Sequence, residues 1–308
     1  MSKIVVYGFC RVVFGLNASP FLLNATLRHH VTTFAEVDPE FARKLIESFY
    51  VDDFVSGGGT SEEVQVLYGK TCTRMSEGGF KLRKWLTNDD EVRKKIQTDS
   101  ACNEAQRPVS EEDDSYAKSS LHALGSKGQK VLGLAWDFDE DTISLDLAVI
   151  AKQSEGLPAT KRNTLKLLAG IFDPLGIIWP VTVTAKILFQ DACRVKIGWD
   201  DVLDGEIKKG VEAWIKSLIE CKQVTIKRCI YEHTREEVLE CTLHGFADAS
   251  KTGYCAVTYL VYATQTGRYA KMLSSKSRVA LLKELSIPRL ELMACLILAR
   301  LIFTIRGA

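Results

Sequence analysis

The chain has 308 residues, 46% of them hydrophobic, with a formal net charge of +1. This exceeds a usual single domain of ~100–200 residues and supplies enough apolar side chains for packed cores, which excludes both a disordered polypeptide and one small domain and predicts two or three folded units. A balanced charge excludes a globally basic protein, so any grip on nucleic acid must come from local basic stripes. The nine cysteines form no Cys-x-x-Cys pair and no histidine cluster has zinc-ligand spacing, as expected of free or buried thiols in a reducing compartment. The most apolar stretches are broken by Asp173, Pro174, Gly176 and Pro180 or end at Arg300, and there is no signal peptide. An intracellular protein, cytoplasmic or nuclear, with no membrane partner is expected.

In chain order, Ser19-Pro20 opens a helix whose stripe includes Phe21, Leu22, Ala25 and Leu27, and Asp38-Pro39 breaks it before a second helix ending near Phe49. Tyr50-Val51-Asp52-Asp53 follows, ahead of the run Gly57-Gly58-Gly59. Two adjacent carboxylates before a flexible turn suit a tight hairpin that offers oxygen ligands to a divalent cation, although an Asp-Asp pair near glycine is more often a solvated turn. Ser61 to Glu77 reads as a helix capped by Thr60 or Ser61, with Val64, Leu67, Cys72 and Met75 at helical spacing. Lys81, Arg83, Lys84, Arg93, Lys94 and Lys95 make the best basic stripe, whose plain alternative is a solvated face.

Polar and acidic residues dominate from Thr98 to Lys130, including Glu111-Glu112-Asp113-Asp114, and predict a surface loop or disordered insert. Strands return over Val131 to Leu147, where Trp136 to Asp139 and Ile143 to Leu147 alternate apolar with polar. Helices are expected over Thr160 to Ala169, Val181 to Arg194 and Glu206 to Ile219. A three-strand antiparallel meander should then run through Leu243 to Ser250, Ala256 to Tyr262 and Tyr269 to Ser274. Pro288 opens an apolar helix to Arg300 in which Glu291 is the one acid, for which attraction to a helix N-terminus, worth ~0.3–1 kcal/mol, is a sufficient explanation on its own.

Taken together, Arg11 to Phe21 with Phe14-Gly15, Tyr50-Val51-Asp52-Asp53, Glu77 to Trp85, and Val131 to Leu134 resemble four successive motifs of a reverse transcriptase palm. The resemblance is closest to the Pao/BEL group of retrotransposon polyproteins. It continues through Thr160-Lys161-Arg162-Asn163 and Leu168 to Gly176, which resemble the segment that follows the palm in that group. Asp248 on a first strand, the meander, Ser274 to Ala280, and Ile287 to Leu292 with Glu291 are similar to the opening half of ribonuclease H.

The fold implied is α+β: a partial polymerase palm over 1–150, a helical thumb or connection over 151–222 and a partial ribonuclease H-like sheet with one helix over 223–308. The implied activity is that of a retroelement RNA-directed DNA polymerase with ribonuclease H, working by two-metal phosphoryl transfer. Asp52 and Asp53 in one site, Asp248 and Glu291 in the other, would be the catalytic, metal-binding acids, holding Mg2+ or Mn2+. Phe14, Gly15, Tyr50, Lys81, Arg83 and Lys84 would contact nucleotide or nucleic acid. Lys84 is expected near the phosphates of the incoming nucleotide. The implied partners are an RNA template, a DNA primer, RNA-DNA hybrid and deoxynucleoside triphosphates.

The family pattern also calls for a palm carboxylate ahead of Phe14-Gly15, whereas the first acid here is Glu36, and for further ribonuclease H acids beyond the Glu291 helix. Both acidic sites are therefore expected to be incomplete within this chain, with the cations weakly held. The competing expectation is a non-catalytic nucleic-acid-binding remnant that grips backbone through the basic stripe and the thumb helices. Aspartic protease activity is not expected, because no Asp-Thr-Gly or Asp-Ser-Gly triplet occurs.

Overall fold

The computed structural model of the protein describes residues 8, 12–13, 15–104, 129–221, 223–231 and 238–307. Its contacts separate into two compact units, Met1–Gly125 and Ser126–Ala308. The architecture is α+β, with three small open antiparallel sheets among the described residues.

In the first unit, helix α1 (Ser19–Thr32) is followed by α2 (Pro39–Ser48), and the break falls where Asp38-Pro39 predicts it. Asp38 caps α2 by accepting the Phe41 amide at 3.3 Å, and proline at the first position gives up an amide that has no helical partner. Strands β1 (Phe49–Tyr50) and β2 (Asp53–Phe54) form the hairpin, then comes α3 (Ser61–Glu77), capped by Thr60. Helix α3 ends as Gly79, at φ 77°, lets the Phe80 amide reach the Met75 carbonyl at 2.9 Å and the Gly79 amide reach Ser76. Leu27, Val31, Phe34, Phe41, Ala42, Leu45, Leu67 and Met75 form the core.

Helix α4 (Asp90–Glu104) corrects the expected loop at its amino-terminal end. Asp89 accepts the Val92 amide at 2.9 Å, and Val92 and Ile96 are buried, so a capped apolar face carries the helix past Thr98 despite polar composition. At its other end the expected loop is corrected too, because a strand starts at Gln129, and its middle, 105–128, lies outside the described residues.

The second unit opens with β3 (Gln129–Val131), β4 (Leu134–Asp137) and β5 (Thr142–Asp146), and β6 (Gln223–Lys227) completes this sheet in the order β3-β4-β5-β6. Between β5 and β6 lie α5 (Ala148–Ser154), α6 (Lys161–Gly170), α7 (Trp179–Arg194) and α8 (Gly205–Cys221). Leu145, Leu147, Ile150, Leu167, Ile178, Ala185, Trp214 and Leu218 bury together, so the sheet and these helices share one core. The boundary expected at 150 lies within this unit.

The meander follows as β7 (Glu240–Ala249), β8 (Gly253–Ala263) and β9 (Arg268–Val279), in that spatial order. Helix α9 (Ile287–Arg306) covers it, seating Leu290, Ala294 and Ile297 against Ala247, Ala249, Tyr254 and Ala256. Gly245 permits that approach: a side chain there would meet Leu298 at 2.6 Å. No helix among the described residues is long and apolar enough to cross a membrane.

Candidate functional site

Tyr50, Val51, Asp52 and Asp53 form a two-residue hairpin turn, with Tyr50 paired to Asp53 and Phe49 to Phe54. Alternation turns Phe49 and Phe54 inward, their rings 5.2 Å apart and packed on the core, and Phe54 meets Trp85 at 5.8 Å. Tyr50 is 66% exposed, and Asp52 and Asp53 are exposed beside it, their carboxylates without a hydrogen-bond or ion-pair partner among the described residues. The base of the hairpin is fixed by the Val55 amide on the Ser48 carbonyl at 2.8 Å and by Lys44, which donates to the Gly57 carbonyl at 2.8 Å.

The turn is strained at Val51, whose φ is +57°. The left-handed region costs a non-glycine residue about 1–2 kcal/mol, and a β-branched side chain tolerates it least. A hairpin of this length normally takes glycine or asparagine there, so the aromatic anchorage on either side is what holds the acidic tip in shape.

The stretch from Phe80 to Trp85 runs beside this hairpin as irregular backbone. Phe80 and Leu82 pack on the core and Trp85 meets Tyr68 at 4.9 Å, while Lys81, Arg83 and Lys84 are exposed. Lys84 itself has φ +58°, and none of the three cations has a polar partner among the described residues. Gly15, exposed at φ +84°, precedes α1, where the Ser19 hydroxyl donates to the Val13 carbonyl. Phe14 lies outside the described residues.

The second acidic pair lies in the meander and its helix. Ala247 and Ala249 face α9 in the core, so Asp248 between them points to the opposite, exposed face, where its carboxylate accepts the Ala249 amide at 2.8 Å. Asp248 stands across from Cys255, whose thiol is pushed up first by burial and then by the nearby carboxylate. Glu291 is exposed on α9. The helix starts at Ile287, so Glu291 falls beyond its first turn, where attraction to the helix terminus has faded and no longer accounts for the acid.

Both acidic pairs offer hard carboxylate oxygens, the ligand type that Mg2+ and Mn2+ take. The fit is right in kind and short in number: among the described residues no three His, Cys, Asp or Glu side chains converge on one ion position.

Other residues that carry the resemblance are occupied structurally, a role their sequence does not disclose. Lys161 is buried and donates to the Val195 and Ile197 carbonyls, both at 2.8 Å, while Arg162 grips Asp200 at 2.6 and 3.0 Å. Asp173 accepts the amides of Ile177 and Ile178 at 2.8 and 2.9 Å, shaping the loop ahead of α7. Sequence reasoning missed the contact of that loop with β9: the Ser275 amide donates to the Leu175 carbonyl at 2.8 Å, and its hydroxyl to the Gly176 carbonyl at 2.5 Å. The conjunction Asp173-Pro174-Leu175-Gly176 signals a tight turn but not its partner.

No curated protein matches the chain. Among protein-family models, residues 160–308, just under half of the chain, match the Pao retrotransposon-like RNaseH-like domain, so the stretch from the cap of α6 through α9 is similar to a domain of that type.

Proposed function

We propose that the chain is part of a retroelement RNA-directed DNA polymerase with ribonuclease H, acting on nucleic acid by metal-assisted phosphoryl transfer. The observation that carries this reading is the pairing of an unpartnered, solvent-facing Asp52-Asp53 tip in one unit with a ribonuclease H-like domain in the other. Asp52 is the principal palm ligand, Asp53 supports it, and Tyr50 packs near the primer end. Lys84 faces the phosphates of the incoming deoxynucleoside triphosphate, Lys81 and Arg83 hold backbone, and Gly15 with Phe14 contacts template or nucleotide. Helices α6 to α8 grip the template-primer duplex as thumb and connection. Asp248 and Glu291 are the hydrolytic acids facing RNA-DNA hybrid. Divalent cations, when bound, neutralise charge on the attacking and leaving oxygens.

The test is binding of a fluorescent RNA-DNA hybrid by anisotropy, with Mg2+ and with EDTA. Tighter binding in Mg2+ that is lost in Asp52→Asn and Asp248→Asn supports the proposal, and a hybrid that fails to bind sinks it.

A second reading, a non-catalytic nucleic-acid-binding remnant, is favoured by Lys81, Arg83 and Lys84, three exposed cations with no acidic partner among the described residues. It expects hybrid binding that weakens with salt but is the same in Mg2+, in EDTA and in both Asp→Asn variants.

A further inference from the structure

Strand β7 is an open edge of the meander, whereas the outer side of β9 is met by the Leu175 carbonyl, which accepts the Ser275 amide at 2.8 Å. The Ser250 amide donates to the Gly253 carbonyl at the turn, so the even-numbered residues of β7 bond to β8 and the odd-numbered ones turn their amides and carbonyls outward. Among the described residues, the outward amide of Ala249 is held by the carboxylate of its neighbour Asp248, and those of Cys241, Leu243, Gly245 and Ala247 have no partner. Proline, lysine and inward-pointing charge, the usual guards of an edge, are absent from Glu240–Ala249. Such an edge is a template for another strand.

The side chains along this edge complement a second copy of themselves. His244, Phe246 and Asp248 alternate onto the exposed face, where Phe246 is 58% exposed. Antiparallel pairing of two β7 strands with Phe246 opposite Phe246 sets His244 of each copy opposite Asp248 of the other. Odd residues then face odd residues, Gly245 to Ala247 and Leu243 to Ala249, as the outward hydrogen-bonding groups require. His244, Phe246 and Asp248 fall at the positions between the bonded pairs, where Cα atoms approach to about 4.5 Å and side chains are closest. Registers one step away set Asp248 against Thr242 or Phe246, and those two steps away set it against Glu240 or itself. Charge therefore selects the register centred on Phe246.

Helix α9 fits the same two-fold axis. It covers β7 and β8, so its axis lies about half a strand spacing inside β7, and two copies joined at that edge hold their helices about 10 Å apart, near the about 8–10 Å of packed helices. Leu298 and Ile302 overhang Gly245, and Glu291, Cys295 and Arg306 share their flank at helical spacing. Antiparallel pairing about the midpoint of Leu298 and Ala299 sets Cys295 against Ile302 and Glu291 against Arg306. Glu291 and Arg306 are exposed and have no ion-pair partner among the described residues. Leu298 lies over the residue next to Phe246, so one axis serves strand and helix alike. We propose that β7 and the flank of α9 beside it form the interface of a homodimer, in which two meanders join edge to edge into one continuous sheet. This association needs no nucleic acid, and while it holds it withholds Asp248 and Glu291 from one.

Sedimentation velocity of the full chain across the micromolar range tests this, with melting curves to establish that each variant folds. Wild type should sediment as a dimer. Phe246→Glu should convert it to a monomer, while Phe303→Glu, the same change at an 82%-exposed site on the outer face of α9, should leave the dimer intact. His244→Asp should weaken association at least about tenfold by setting carboxylate against carboxylate, and adding Asp248→His should restore it. That rescue separates pairing in this register from misfolding of a single variant. A wild type that stays monomeric, a dimer that survives Phe246→Glu or is lost in Phe303→Glu, or a double variant that does not recover overturns the proposal. None of these outcomes depends on hybrid binding, so failure here leaves the nucleic-acid reading to its own test.

Discussion

Gly176 and Ser275 lock together: the Ser275 hydroxyl donates to the Gly176 carbonyl at 2.5 Å, and a methyl group on Gly176 would collide with the Ser275 carbonyl oxygen. Gly176 also has φ +74°, so both conformation and space demand glycine. Gly176→Ala should destabilise the second unit by at least about 1–2 kcal/mol, the conformational part alone. Ser275→Ala should cost about 1 kcal/mol through the lost hydrogen bond. Urea unfolding followed by a probe in each unit checks both, and an unchanged midpoint for Gly176→Ala would contradict the docking.

Val51 gives the opposite sign. Replacing a β-branched residue at φ +57° with glycine relieves about 1–2 kcal/mol of strain and adds about 0.5–1 kcal/mol of unfolded-state entropy. Val51→Gly should therefore be neutral to about 1 kcal/mol stabilising, whereas Val51→Ile should gain nothing. A lower midpoint for Val51→Gly in chemical denaturation would mean that the tip is not strained.

Leu45 is fully buried on α2, beneath the hairpin phenylalanines. Leu45→Ala removes its packing and leaves a cavity, with an expected cost of about 2–5 kcal/mol. Equilibrium unfolding should show that loss in the first unit.

Asp89 makes the first unit acid-sensitive. The Ser61 hydroxyl at 2.5 Å and the Val92 amide at 2.9 Å hold its carboxyl below the ordinary 3.8. A carboxyl depressed in the folded state contributes stability that is fully present above its unfolded value and disappears as pH falls through its folded value. Asp89→Asn keeps an acceptor for the helix cap but cannot titrate, so its urea midpoint should fall less steeply than that of wild type below about pH 4. Parallel curves would remove Asp89 from the acid response.

What could be read from the sequence was local. Asp38-Pro39 and Thr60 declared the starts of α2 and α3 because a cap is a contact between near neighbours. Alternation around Asp248 declared its strand for the same reason, and the acidic tip was found where Tyr50 to Asp53 predicts a hairpin. The strain at Val51 was hidden, because valine there reads as strand rather than turn and only the packing of Phe49 and Phe54 imposes the conformation. Structural work by Lys161 and Arg162 was hidden too, since their partners, Val195, Ile197 and Asp200, come from a distant loop. The cleft beside β9 joins Lys186 to Lys276, which no sequence periodicity relates.

The pairing of β5 with β6 sets an order of assembly. Asp146 is matched to Gln223 and Thr142 to Lys227, with four helices threaded between them. During synthesis β5 therefore leaves the ribosome long before its neighbour exists, and its outer row of amides and carbonyls stays open until residue 227 emerges. Through that interval it can pair with any passing strand, including β5 of another nascent copy. The clasp that finishes the sheet is its last step in time, and crowded polysomes are where this chain is most exposed to misassembly.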